Sequence, residues 1–202
     1  MTSIITADIV NSRKLKSKDW IDRLKEFLAT KGDNPKDWEI YRGDQFQLEI
    51  RPNDALLTAF ELKAFLKSID VDLRMGIGIG DKTHSADRIS ESNGTAFIRS
   101  GETFELLKKM KTNMAISTGN PAFDRELNLM LQLALVIADG WLAQSAEYFV
   151  TAIGNPEMSQ EELGQKLGIN QAAVSRRRKR AQFDLIMELD SFYRDTIKNL
   201  KS

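Results

Sequence analysis

The chain has 202 residues, 42% of them apolar, with 29 basic side chains balanced by 29 acidic ones, an ordinary composition for a protein with a proper core. It has no cysteine and one histidine, His84, which excludes disulfides and thiolate chemistry and argues against a structural zinc. Global neutrality argues against a protein that coats nucleic acid indiscriminately.

The opening MTSIITADIV lacks a basic n-region and carries an acid at position 8, so no signal peptide is expected and the protein is expected to be cytoplasmic. The isoleucine-rich run Ser3 to Val10 reads as a buried strand. Trp20, Ile21, Leu24, Phe27 and Leu28 then recur at helical spacing within Lys18 to Thr30. Trp38 to Tyr41 and Phe46 to Ile50 read as a hairpin, joined by Arg42, Gly43, Asp44 and Gln45. Pro52 opens a helix carrying Ala55, Leu56, Ala59, Phe60, Leu62, Phe65 and Leu66, and Val71 to Gly80 alternates as a further strand. The order β-α-β-β-α-β is that of a split βαβ, so the expected class is α+β with a ferredoxin-like sandwich.

A polar stretch from Asp81 to Asn93 follows, long for a connection and therefore a candidate functional loop, with His84 expected to face solvent. A helix from Thr95 to about Lys109 and a strand from Asn113 to Ser117 complete the first domain, residues 1–120. Pro121 then opens a single long helix to about Ile153, the connector of residues 121–155. Its richest stretch, Leu127 to Ala143, is interrupted by Asn128, Gln132 and Asp139 and is short for a bilayer, so it reads as buried. Gly154, Asn155 and Pro156 mark the boundary to a third region, 156–202.

That last region carries the most specific signal. Ser159 and Glu162 stand three apart as a capping box, Leu163 and Leu167 share a helical face, Gly168 stops the helix, and Asn170 caps a second one. Two short helices joined by about three residues form a helix-turn-helix, whose second helix lies in the DNA major groove. Gln171, Ala172, Ser175 and Arg176 are the expected readers, since glutamine and arginine can bond adenine and guanine edges bidentately. Arg177, Arg178, Lys179 and Arg180 are expected at phosphates or the rim. From Ser159 to Arg180 there are six basic and two acidic residues, a net of +4, against 20 basic and 23 acidic, a net of −3, from Met1 to Met158. The second helix is expected to run unbroken to about Leu200. Its stripe of Leu185, Ile186, Leu189, Phe192, Tyr193 and Ile197 suits packing on the Pro121 to Ile153 helix or a seam between two copies.

Asp8 ends the first strand and Asp44 sits in the turn before the third, so their carboxylates could meet at one sheet edge, as a Mg²⁺ site requires. Asn11, Ser12 and Arg13 follow in a loop suited to cradling phosphate. The plainer alternative leaves Asp44 stabilising a turn and Asp8 paired with Arg42 or Arg74. The glycines of RMGIGIG either belong to a ligand site or relieve crowding under a packed helix, and they do not match a dinucleotide fingerprint.

ADIVNSR at 7–13, YRGDQF at 41–46 and RMGIGIG at 74–80 resemble the core strands of class III nucleotidyl cyclases and, more distantly, of the GGDEF enzymes. The resemblance implies that Asp8, Asp44 and the Ile9 carbonyl hold metal. More closely, these motifs, SNGTAFIRSGE at 92–102 and the terminal helix-turn-helix resemble the SatD family over nearly the whole chain. The cyclases' asparagine, four residues before a transition-state arginine, is absent here: Thr95 stands four before Arg99. Loss of preorganised groups around a transferring phosphoryl removes orders of magnitude in rate. The expected function is therefore a DNA-binding transcriptional regulator with a degenerate cyclase-like domain that senses a nucleotide or other phosphorylated ligand. The alternative is a Mg²⁺-dependent nucleotide-processing enzyme with a structural helix-turn-helix.

Overall fold

Strand β1 (Thr2–Ile9) is covered on both faces, as a near-continuous apolar run requires. The computed structural model describes residues 1–15, 17–41 and 43–200, the side chains of 17–19 and 200 apart. Arg42, the alternative partner for Asp8, lies outside the described residues.

Helix α1 (Ser17–Ala29) follows β1, and then come β2 (Trp38–Tyr41), β3 (Gln45–Ile50), α2 (Ala55–Lys67), β4 (Leu73–Gly80), α3 (Thr95–Met110) and β5 (Met114–Ser117). The strands form one mixed five-stranded sheet in the order β2-β3-β1-β4-β5, in which only the β4–β5 pair is parallel. The chain is thus α+β, with the β-α-β-β-α-β order expected and β5 added at one edge.

Period-2 alternation divides the sheet's side chains. Ile5, Ala7, Ile9, Met75, Ile77 and Ile79 enter the large core that contains α1 and α2, whereas Ile4 joins Ile89, Ala96 and Phe97 under α3. Gly76, Gly78 and Gly80 let α3 lie on β4. A Cβ on Gly78 would come within 2.2 Å of the Ala96 carbonyl oxygen and the Ser100 nitrogen. The loop from Asp81 to Asn93 covers the sheet beside α3. Ile89 is fully buried, and buried Glu39 accepts hydrogen bonds from Arg88 and from Ser90 at 2.6 Å. His84 is exposed, its backbone bridging Asn93.

The expected single helix from Pro121 to Ile153 is two helices, α4 (Pro121–Ala138) and α5 (Ala143–Ile153). Buried Trp141 packs against Phe149, with ring centroids 4.8 Å apart, and against Phe60 at 6.5 Å. Reaching that place bends the chain at Asp139 and Gly140. Asp139 is itself tied down, pairing with fully buried Lys63 at 2.6 Å and accepting from Asn113 at 3.1 Å. Lys63 also reaches Asp72 at 2.7 Å, so one ammonium joins α2, the start of β4 and the α4–α5 corner.

The expected unbroken C-terminal helix is likewise two, α7 (Gln171–Ala181) and α8 (Phe183–Leu200), with Gln182 at φ 49° between them. Trp141 Nε1 donates to the Ala181 carbonyl at 3.2 Å, satisfying one orphan acceptor at the end of α7. Phe183 then enters edge-on between Tyr148 and Phe149. Helix α8 returns to the sandwich, where the buried Tyr193 hydroxyl donates to the Pro52 carbonyl and Arg194 bridges Asp54 and Asp190. One apolar cluster therefore runs from the sheet through α2 and α5 to Leu163, Val174 and Ile197.

Candidate nucleic-acid interface and the carboxylate edge

Helix α6 (Gln160–Leu167) begins with the capping box its sequence announced: the Ser159 hydroxyl accepts from Glu162 N–H, and Glu162 accepts from Ser159 N–H at 2.7 Å. Those hydrogen bonds favour the ionised form and hold the Glu162 carboxyl below its ordinary range. Gly168 takes φ 65° to end the helix, and Asn170 accepts from Ala173 N–H at 2.9 Å to start α7. Leu163 and Val174 are buried between the two helices. Gly164 allows the close crossing, since a Cβ there would lie 2.7 Å from the Ile169 carbonyl oxygen. Helix α5 backs the pair, so the unit has three helices.

The outward face of α7 is one continuous stripe. Gln171, Ser175 and Lys179 are exposed at four-residue spacing, as are Ala172, Arg176 and Arg180. Among the described residues, no ion pair engages Arg176, Lys179 or Arg180. Ala172 and Ser175 are small, which leaves the leading half of the stripe low enough for close approach to a groove. The arrangement presents amide and guanidinium donors first and three uncompensated cations after them.

Arg177 and Arg178 depart from their expected phosphate or rim placing. Both point back into the protein: Arg177 Nη1 meets Glu147 of α5 at 2.7 Å, and Arg178 grips Asp184 of α8 with two nitrogens at 2.5 to 3.1 Å. The Arg178 guanidinium also lies 5.3 Å from the Phe183 ring centroid. Its hydrogen bonds to Asp184 raise the arginine's pKa and lower that of the carboxyl. Two of the five consecutive cations thus hold α7 in place. Their partners are missing from the sequence reading because Arg177 and Glu147 lie 30 positions apart, and Arg178 and Asp184 are separated by a helix break.

In the sheet, the register sets Asp8 opposite Gln45 and Ile9 N–H donates to the Asp44 carbonyl at 3.3 Å, so both aspartates reach one end of the β1–β3 pair. Their side chains have separate partners. Both oxygens of buried Asp8 accept from Arg74, at 2.9 Å for Nε, and Asp44 accepts from the Ser12 hydroxyl. Asn11, at φ 56°, starts a 3₁₀ turn over Ser12–Lys14, with Asn11 and Arg13 exposed. Ile9 is buried in the opposite core. Among the described residues, no three histidine, aspartate or glutamate side chains gather as a metal site would need. A carboxylate neutralised by a bidentate arginine does not fit a Mg²⁺ held between Asp8 and Asp44, and the Asp8–Arg74 alternative describes the arrangement.

Arg99 of α3 is a clamp. Its Nη1 donates to the Ile79 carbonyl at 2.5 Å and the Thr118 carbonyl at 2.9 Å, joining α3 to the ends of β4 and β5. Elsewhere a polar groove opens between α3 and strands β1 to β3, lined by Thr6, Tyr41, Gln45, Gln47, Phe104 and Glu105, with about 510 Å³ of space.

The model of the SatD family matches residues 2–193. No curated protein and no solved structure matches the chain significantly.

Proposed function

The chain belongs to the SatD family, and we propose that it is a cytoplasmic DNA-binding regulator whose sandwich responds to a nucleotide or another phosphorylated ligand. The observation that carries the DNA reading is the outward stripe on α7, where Gln171, Ala172, Ser175 and Arg176 precede Lys179 and Arg180 along one exposed face. A recognition helix enters the major groove with its early residues at base edges. The Gln171 amide can donate to adenine N7 while accepting from its N6 amino group, the Arg176 guanidinium can donate twice to guanine, and Lys179 and Arg180 follow where the helix meets the phosphate wall. The inward pairs of Arg177 and Arg178 support the same reading, because a helix held on two sides loses less freedom on binding.

The order β-α-β-β-α-β with β2-β3-β1-β4 antiparallel supports a ferredoxin-like, cyclase-like sandwich. A phosphorylated ligand would use the exposed Asn11 and Arg13 beside Asp44. Such a ligand can act on DNA binding only by favouring one arrangement of the helices over another. Helix α2 offers the route, since it packs on the sheet on one side and on Trp141 and α5 on the other. The rival reading, a Mg²⁺-dependent nucleotide-processing enzyme, draws no support from an aspartate already neutralised by Arg74.

Selection of bound sequences from random duplex DNA tests the proposal. Arg176→Ala is expected to weaken binding by about 1 to 3 kcal/mol and to relax preference at one position of the selected site. Unchanged affinity and preference would count against α7 as the reading helix.

A further inference from the structure

Helix α4 has two apolar rows where an ordinary surface helix has one. The inner row, Phe123, Leu127, Leu131, Leu135 and Ala138, is buried in the common core. The outer row is not covered by any described residue: Leu129 is 60% exposed, Leu133 64% and Val136 79%. These three follow a four-then-three spacing, the step of a helix seam that meets another helix. From Leu127 to Ala138 the helix carries no charged residue, although one side of it faces water.

Beside this ridge lies a groove of about 460 Å³ between α4 and α8, with Met130, Ala134 and Ile137 on one wall and Leu189 and Phe192 on the other. Leu185 is 53% exposed and Phe192 42%, so the α8 wall of the groove and the ridge form one patch. Arg125, Glu126 and Glu188 are exposed at its edges.

We propose that the α4–α8 face binds a second copy of this chain about a two-fold axis. Size and shape argue for that occupant. At roughly 150 Å² for a whole side chain, the five exposures leave on the order of 450 Å² of apolar surface. A standard interface buries about 800 Å² per partner, and in homodimers about 65% of it is apolar, or roughly 520 Å². The patch supplies most of that. A two-fold contact also requires a surface that complements itself, and a protruding row flanking a groove of matching chemistry meets that requirement. The pairing leaves the outward stripe of α7 untouched and stands independently of the DNA reading.

Sedimentation equilibrium of the full chain decides it. The wild type is expected at twice its 22.9 kDa in the micromolar range. Leu133→Glu and Val136→Glu each place two like charges in the seam, and dimer dissociation constants at least about 100-fold weaker are expected. Their circular dichroism and melting should match a monomeric fold, since neither side chain is part of the core. Leu106→Glu, at a leucine on α3 that is 49% exposed, should sediment as the wild type does. A wild type that stays at 22.9 kDa up to about 100 µM would overturn the proposal and leave the face for a different partner. A dimer indifferent to both glutamates would overturn it by placing the contact elsewhere.

Discussion

Replacing Lys63 by methionine should destabilise the whole molecule, because this ammonium is fully buried and answers two carboxylates from different elements. It lies 2.7 Å from Asp72 and 2.6 Å from Asp139. Breaking a buried ion pair by removing one partner costs about 3 to 5 kcal/mol, since the remaining charge is left uncompensated. Asp72 and Asp139 keep 22% and 37% of their side-chain exposure, and Lys67 stays 3.1 Å from Asp72, so the lower end applies. We expect a loss of about 3 kcal/mol, or roughly 6 to 12 °C in melting temperature for a chain of this length. Burial alone would raise the Asp72 pKa, but the Lys63 charge and hydrogen bond, with Lys67 and the Leu73 N–H, outweigh it and hold the carboxyl below its ordinary 3.8. A depressed carboxylate contributes its stability in full above 3.8 and loses it as pH falls through the lower folded value. The difference between wild type and Lys63→Met should therefore be flat from about pH 5 to 7 and shrink below 3.8. Urea unfolding across that range measures both effects. A loss under about 1 kcal/mol, or a difference unchanged into strong acid, would refute the assignment of Lys63 as the charge that ties α2 to the α4–α5 corner.

Gly78→Ala should cost about 3 kcal/mol, the upper end for overpacking, because the added methyl meets α3 backbone at 2.2 Å and not a movable side chain; chemical denaturation reads it, and a cost under about 1 kcal/mol would mean that α3 is not seated on β4. Arg178→Ala should lower stability by about 1 kcal/mol through loss of its bidentate bond to Asp184 and its contact with Phe183, while Arg177→Ala, whose partner Glu147 is 53% exposed, should stay within about 0.5 kcal/mol. Neither change should alter the salt dependence of DNA binding, and a changed slope in either would return that arginine to the interface.

Local signals were legible where one residue sufficed to set the backbone. Ser159 with Glu162, Gly168 and Asn170 located α6 and the start of α7 to within a residue, because capping chemistry acts over three or four positions. The element order β-α-β-β-α-β followed from the alternation of short strands and amphipathic helices. The α4–α5 corner carried its own signal, Asp139-Gly140, a turn dipeptide that the apolar run around it masked. The α7–α8 break carried none, since Gln182 adopts φ 49° through the tertiary demands of Trp141 and Phe183 and not by its own preference. Charge was the least readable quantity. Five consecutive cations look alike in sequence, yet Glu147 and Asp184 claim two of them, and Arg74 claims the aspartate that the cyclase resemblance assigned to metal. In sequence the GIGIG glycines suit a ligand site and close helix packing alike. Their contacts with α3 backbone select packing.

The central claim is that the outward stripe of α7 is a DNA interface, and the measurement that tests it most directly is duplex binding titrated against salt. Wild type is to be compared with a variant in which Arg176, Lys179 and Arg180 are alanine. Each phosphate contact contributes about 0.9 to the slope of log affinity against log salt, so losing two or three should flatten it by roughly 2 to 3. That result, with circular dichroism unchanged, is the expected one. A wild type that binds no duplex at low salt, or a variant with the same affinity and slope, would contradict it.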